Sequence, residues 1–271
     1  MRKNDCFLTI LLLFLVGVGI SGCIDQQAPH EETLVSENND LLFQTSTIDA
    51  LLEGVYDGET TFEEMKEHGD FGIGTFNALD GEMIALNGDV YQIKADGVAY
   101  PVNDSMMTPF AAMTTFETDK EFHLNISMDQ NQLEEYLEDQ MPNRNIIYAI
   151  RIDGNFDYMK TRSVPKQTKP YPQLVDVAKN QPTFEFNDTK GTVIGFWLPE
   201  YIDGINVPGF HFHFITQDRT AGGHVLKFSI NEANVRIDQT YDFMMKIPRS
   251  DAFSSADLTE DKQEELEQVE N

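Results

Sequence analysis

The sequence predicts an α+β fold of mostly antiparallel and mixed β-sheet, arranged as two β-rich subdomains with a few short helices. Three observations carry this reading. Short apolar runs between residues 71 and 102 are separated by Asp80-Gly81, Asn87-Gly88 and Asp96-Gly97, pairs that supply the positive φ angles of tight hairpins. Apolar residues at helical spacing are confined to a few short windows. Residues 209–215 alternate aromatic and histidine side chains with a period of two, the signature of a strand.

The elements follow in order. Thr47 caps a short helix whose apolar residues are Ile48, Leu51, Leu52 and Val55. Thr61 with Glu64 three residues on forms a capping box, and Gly69 stops that helix. Runs 71–76, 83–86, 90–93 and 98–102 make a meander. Further strands are expected at 111–116, 121–126, 146–152 and 156–162, with a helix between them that places Leu133, Tyr136, Leu137 and Met141 on one face. The Pro-rich stretch 165–172 sets a boundary between an N-terminal β-rich domain, 46–165, and a C-terminal domain, 166–271. Beyond it, 192–198, 209–216, 224–230, 234–237 and 241–247 read as strands.

The ends differ from the middle. Arg2 and Lys3 precede an apolar run of 14 residues, 7–20. That suits a signal peptide, 1–22, and falls short of the ~20 residues of a membrane-spanning helix. Ile20-Ser21-Gly22-Cys23 resembles a lipobox, so Cys23 is the expected lipidation site. The expectation is export and lipid anchoring on the outer face of the cytoplasmic membrane, the membrane being met only through that anchor. Residues 23–45 read as an acidic tether. With Cys6 removed and Cys23 blocked, neither a disulfide nor a thiolate site is available, so any metal must be held by His and carboxylates. Residues 251–271 hold eight acids against Lys262, with Leu258, Leu266 and Val269 able to dock.

Charge narrows the function. Against 46 Asp+Glu the chain sets 19 Lys+Arg, a net −27 over 271 residues. Such a surface repels phosphate, which excludes most nucleic-acid binding and disfavours anionic lipid headgroups.

Six histidines are present. His30 falls in the tether, His68 near a helix end, and His123 reads as a half-buried strand residue. The other three lie within fourteen residues: His211 and His213 on one face of a strand, backed by Phe210, Phe212 and Phe214, and His224 opening the return strand. A turn centred near Asp218–Arg219 sets His224 opposite His213 and diagonal to His211. Three imidazoles so placed suit a metal site on a C-terminal β-hairpin, with Zn²⁺ and open positions the favoured filling and Fe, Mn, Ni or Co as alternatives.

Phe-His-Phe-His-Phe-Ile-Thr-Gln-Asp-Arg-Thr-Ala-Gly-Gly-His-Val-Leu (210–226) resembles the metal-binding segment of the acetolactate decarboxylase family. Gly74-Thr-Phe-Asn-Ala-Leu-Asp-Gly-Glu-Met-Ile84, Tyr100-Pro101, Thr108-Pro109-Phe110-Ala111 and Thr161-Arg162-Ser163-Val164-Pro165 extend the resemblance from about residue 46 to the C-terminus, in the family's order. It implies zinc-dependent decarboxylation of 2-acetolactate, the small-molecule partner, to acetoin and CO₂ through a metal-stabilised enediolate protonated by a Glu. By position, His211, His213 and His224 would ligate the metal; Glu82, Arg162 and Glu270 would complete the site, with Thr75 lining it. The resemblance also implies a tendency to form a homodimer. Two other readings compete: a cupin-like metal enzyme, which wants a Glu shortly after the His pair and a third His on a distant strand, and a surface metal-binding lipoprotein.

Overall fold

The computed structural model describes residues 39–270. The expected signal peptide, Cys23, His30 and most of the tether lie outside the described residues. Among the described residues no helix is long and apolar enough to cross a membrane.

Two sheets stack face to face. The first runs, edge to edge, through Asp242–Lys246, Leu41–Thr45, Ala111–Thr114, Phe71–Thr75, Glu82–Leu86, Asp89–Ile93 and Ala99–Pro101. The pair Leu41–Thr45 and Asp242–Lys246 is parallel and the other pairs are antiparallel, so this sheet is mixed. The second is antiparallel and built on three long strands, Ile147–Arg162, Thr183–Leu198 and Gly222–Thr240. Its edges are extended by Gly209–Thr216, Lys120–Leu124 and Met128–Asp129.

The core is layered accordingly. Leu42, Phe71, Ile73 and Ile84 of the first sheet meet Ile194, Phe196 and Ile215 of the second in one buried cluster. The outer face of the second sheet carries Ile150, Phe156, Phe212, Phe214 and Phe228, covered by Leu133 and Leu137 of helix Gln130–Gln140. Helix Phe62–Lys66 covers the outer face of the first, through Phe62 and Met65. A fourth cluster joins helices Ile48–Leu52, Leu174–Ala178 and Gln263–Glu270 at one end of the sheet pair.

The predicted caps form: Thr47 Oγ1 accepts from the Ala50 N–H and Thr61 Oγ1 from the Glu64 N–H. Glu64 does not close its capping box, because its carboxylate instead binds Lys246 Nζ at 2.5 and 2.7 Å.

Three expectations are corrected. Residues 41–45, assigned to the tether, form a strand with Leu42 and Phe43 buried, as their apolar side chains require. The pairs of short strands at 146–152 and 156–162, and at 224–230 and 234–237, are each one continuous strand. Register shifts near Asn155 and Phe156 bend the ladder without breaking it. The two sheets also do not divide the chain at 165: Ile147–Arg162 pairs with Gly222–Thr240 along nearly its whole length, and Asp242–Lys246 returns to the first sheet. The chain changes sheet near residue 117, where the apolar run 111–116 gives way to charged residues. His123 is exposed, its Nδ1 2.8 Å from Asn234 Oδ1, and His68 stacks on Phe43 at 3.8 Å.

One buried acid makes stability depend on pH. Burial raises the Asp238 carboxyl to about 7; the Glu117 backbone N–H opposes this, and Asp119, Asp40 and Glu117 add to it. In the unfolded chain the group ionises near 3.8, the ordinary value of an Asp carboxyl, so raising the pH from 4 to 8 weighs against the folded state. Asp238→Asn, which keeps an acceptor for Glu117, is therefore expected to raise Tm more at pH 8 than at pH 4. A gain equal at both pH values in thermal unfolding would contradict this.

Candidate active site

The site is assembled between the sheets, where His213 of one bonds to Met83 of the other. Because His211, His213 and Ile215 share one face of Gly209–Thr216, the histidines point inward with the interior cluster while Phe212 and Phe214 pack outward. The register is the one the sequence predicts: His213 stands opposite His224. The turn between them passes through Arg219 at φ 60. Gly223, at φ +140, is required here. A Cβ would stand 2.4 Å from the Arg162 carbonyl oxygen and force apart the strands that carry Arg162 and His224.

The three imidazoles converge, with ring centroids 5.0 to 5.4 Å apart. One ligand nitrogen from each lies within 4.8 Å of the others. His213 Nδ1 donates to the Met83 carbonyl at 2.8 Å, across the sheets, which leaves Nε2 free to face the cluster. His211 Nε2 and His224 Nδ1 are 3.2 Å apart. Burial, aided by Arg162, lowers His211 to about 3; burial also holds His213 and His224 well below the usual value. All three are neutral at physiological pH, the form in which an imidazole donates a lone pair to a cation. Three neutral, buried, convergent nitrogens, one of them oriented by a backbone carbonyl, are a donor set that fits a metal ion.

The other candidate residues surround this cluster. Glu82 begins a strand opposite Thr75, and its Oε2 is 3.8 Å from His213 Nε2 while Oε1 is buried without a hydrogen-bond partner. Burial raises Glu82 to about 7, Arg162 and the Val164 N–H opposing and Glu270 adding. Thr75 Oγ1 donates to the Gly81 carbonyl at 2.7 Å, fixing the turn that leads into Glu82. Arg162, only 4% exposed at its side chain, ends the strand opposite His224. Its Nη2 is 3.8 Å from Glu270 Oε1 and its Nε is buried and unpartnered.

Glu270 arrives from helix Gln263–Glu270, held down by buried Leu266 and Val269. Its Oε2 lies 3.6 Å from both His211 Nε2 and His224 Nε2, and burial raises its pKa against the pull of Arg162. The seven candidate residues thus line one small cavity of 40 Å³, walled also by Leu79, Phe110 and Val269. A wider cavity of 720 Å³ shares His211, His224 and Glu270 with it and is lined also by Asp129, Glu134, Glu200 and Glu267.

The sequence reading missed Gln181, whose Oε1 accepts from Arg162 Nη1 at 2.9 Å. A lone Gln beyond a Pro-rich loop carries no sequence signal for such a role. The contact exists because the Ser163 N–H binds the Pro182 carbonyl, drawing that loop onto the strand end.

A buried nest of imidazoles flanked by two carboxyls whose pKa burial raises and by a fixed guanidinium, on a two-sheet α+β scaffold, defines a small-molecule enzyme with a candidate metal centre. Residues 42–260 match the family model for alpha-acetolactate decarboxylase. The chain is 52% identical over 237 residues to the alpha-acetolactate decarboxylase of Methanosarcina mazei, covering 87% of this chain and 82% of that one. It is 46% identical over 224 residues to the Bacillus licheniformis protein of the same name, covering 83% and 88%. The crystal structure of alpha-acetolactate decarboxylase from Bacillus subtilis strain 168 superposes with a TM-score of 0.84 at 39% identity, over 85% of this chain and 99% of that one. The chain belongs to the alpha-acetolactate decarboxylase family. The family-model match stops before the helix that bears Glu270.

Removing one imidazole leaves two donors in an unchanged scaffold. His211→Ala is expected to reduce bound metal from about one ion per chain to none in elemental analysis of dialysed protein. His123→Ala should keep it. Stoichiometric metal in the His211 variant would dismiss the cluster.

Proposed function

We propose that the protein decarboxylates 2-acetolactate to acetoin and CO₂ at a zinc ion held by His211, His213 and His224. The observation that carries the reading is the convergence of three neutral imidazoles with Glu82, Arg162 and Glu270 on one cavity, in a chain of this family. When bound, the zinc supplies Lewis acidity toward the substrate's hydroxyl and ketone oxygens.

The chain's own residues divide the remaining work. Arg162 is fixed by Gln181 and leaves its Nε unpaired, which suits it to bind the substrate carboxylate or the oxygen on which charge develops. As the bond to the carboxyl carbon breaks, its electron pair stays on the substrate and CO₂ departs. The carbon left electron-rich needs a proton, and Glu82 is the donor. Its raised pKa keeps that proton on the carboxyl near neutral pH, and its free Oε1 faces no competing partner. Glu270 either ligates the zinc or serves as a second proton carrier; its distances to His211 and His224 support the first role and its raised pKa the second. Leu79, Phe110 and Val269 give the cavity an apolar wall, which limits hydration of the carbon that becomes electron-rich.

We also propose export and lipid anchoring through Cys23, resting on the basic start, the apolar run 7–20 and the lipobox-like Ile20-Ser21-Gly22-Cys23. Among the described residues Asp242–Lys246 is the end strand of its sheet and Met244 is exposed, which supports pairing with a second copy.

Protein treated with a chelator is expected to stop forming acetoin from acetolactate and to recover when zinc is added. Persistent activity in metal-free protein would contradict the reading. Glu82→Gln should retain zinc yet lose about 100-fold in kcat, the scale of general acid catalysis; unchanged turnover would exclude Glu82 as donor.

A further inference from the structure

Glu270 reaches the histidines from a helix that electrostatics should keep away. Residues 251–271 hold eight acids and one basic residue, Lys262, in a chain of net charge −27. The surface they dock on is acidic as well. Helix Ile48–Leu52 presents Asp49 and is followed by Glu53, and Asp203 lies beside them. The burden shows at Asp49, whose carboxyl is raised to about 6 by burial first, then by Asp203, with Asp261 and Glu265 adding and Lys262 opposing.

Lys262 resolves this crowding. Its side chain is 2% exposed, rare for a lysine. Nζ pairs with Glu53 Oε1, which also accepts from Gln173 Nε2 at 3.1 Å, and lies 3.8 Å from Glu260 and from Glu265. Glu265 Oε2 is buried with no hydrogen-bond partner, so the ammonium is what offsets its charge. The tail helix starts at this point. The Lys262 carbonyl accepts from the Leu266 N–H at 2.9 Å, Leu266 and Val269 enter the cluster with Ile48 and Leu51, and Glu270 follows. Eight residues of helical rise, roughly 12 Å, separate Lys262 from Glu270.

We infer that Lys262 is a positioning residue for the reaction: its ion pair with Glu53 latches the C-terminal helix onto the domain and so sets Glu270 at the histidine cluster. The inference rests on the proposed role of Glu270, and it goes beyond that role by naming what holds the carboxylate in place. Hydrophobic contacts of Leu266 and Val269 supply attraction without direction. The ion pair of buried Lys262 with half-buried Glu53 supplies the register, because an uncompensated Glu53 beside Glu265 would repel the helix.

The test combines exchange and kinetics. Lys262→Met keeps the aliphatic stem and removes the charge, and Glu53→Gln removes it from the other side. Each is expected to speed amide hydrogen exchange in residues 263–270 by about tenfold while exchange in strands Ile147–Arg162 and Gly222–Thr240 is unchanged. Each should lower kcat by about tenfold in the otherwise native protein and by under about twofold when Glu270→Gln is already present. Lys262→Arg should restore most of the activity, as should the exchange of partners Lys262→Glu with Glu53→Lys. Unchanged exchange in 263–270, or an equal fall in kcat in both backgrounds, overturns the latch while leaving Glu270 in its role. A Glu270→Gln protein with native kcat overturns the role of Glu270 itself, and the latch with it.

Discussion

Burying three imidazoles side by side between two sheets is the constraint on which the rest of the molecule depends. Desolvation denies them protons, so their repulsion as cations never arises, and lone pairs turn inward instead. That arrangement demands a rigid frame. The hairpin register fixes His213 opposite His224, the outward Phe stripe anchors the same strand in the opposite layer, and Met83 of the facing sheet orients His213. A one-residue slip would exchange histidines for phenylalanines on the inner face, so the core and the site enforce one another.

Electrostatics then sorts the charged groups. A strongly acidic chain that takes an anionic substrate must limit repulsion where the substrate sits. Burial raises the pKa of both Glu82 and Glu270, and Arg162, which opposes the rise at each, keeps its Nε unpaired. The same burial that suits Glu82 to the proposed proton transfer also limits its negative charge beside a substrate carboxylate, so a single physical cause would serve binding and chemistry.

Much of this was legible because it is local. The period of two across 209–215, the turn at Asp218–Arg219 and the caps at Thr47 and Thr61 are decided by neighbours in sequence, and the structure repeats them. Resemblance to a family supplied Glu82, Arg162, Thr75 and Glu270, which have no local signature and meet only through tertiary contacts. Sequence reading failed where distant segments decide. Ile147–Arg162 reads as two strands, 146–152 and 156–162, yet Glu232 and Ala233 across the ladder keep the residues between them extended. Glu64 looks committed to its own helix end until Lys246, far along the chain, claims it. Gln181 and the burial of Lys262 belong to the same class: both are consequences of which loop or helix lands beside which strand.

The account stands on one atom's position. Crystals grown with zinc and measured at its absorption edge give an anomalous difference map that locates the ion without assumption. The expected result is one strong peak per chain, about 2.0–2.1 Å from one nitrogen each of His211, His213 and His224. A map with no peak there, or with zinc only on surface carboxylates, would contradict the central claim that the buried histidines are a metal centre.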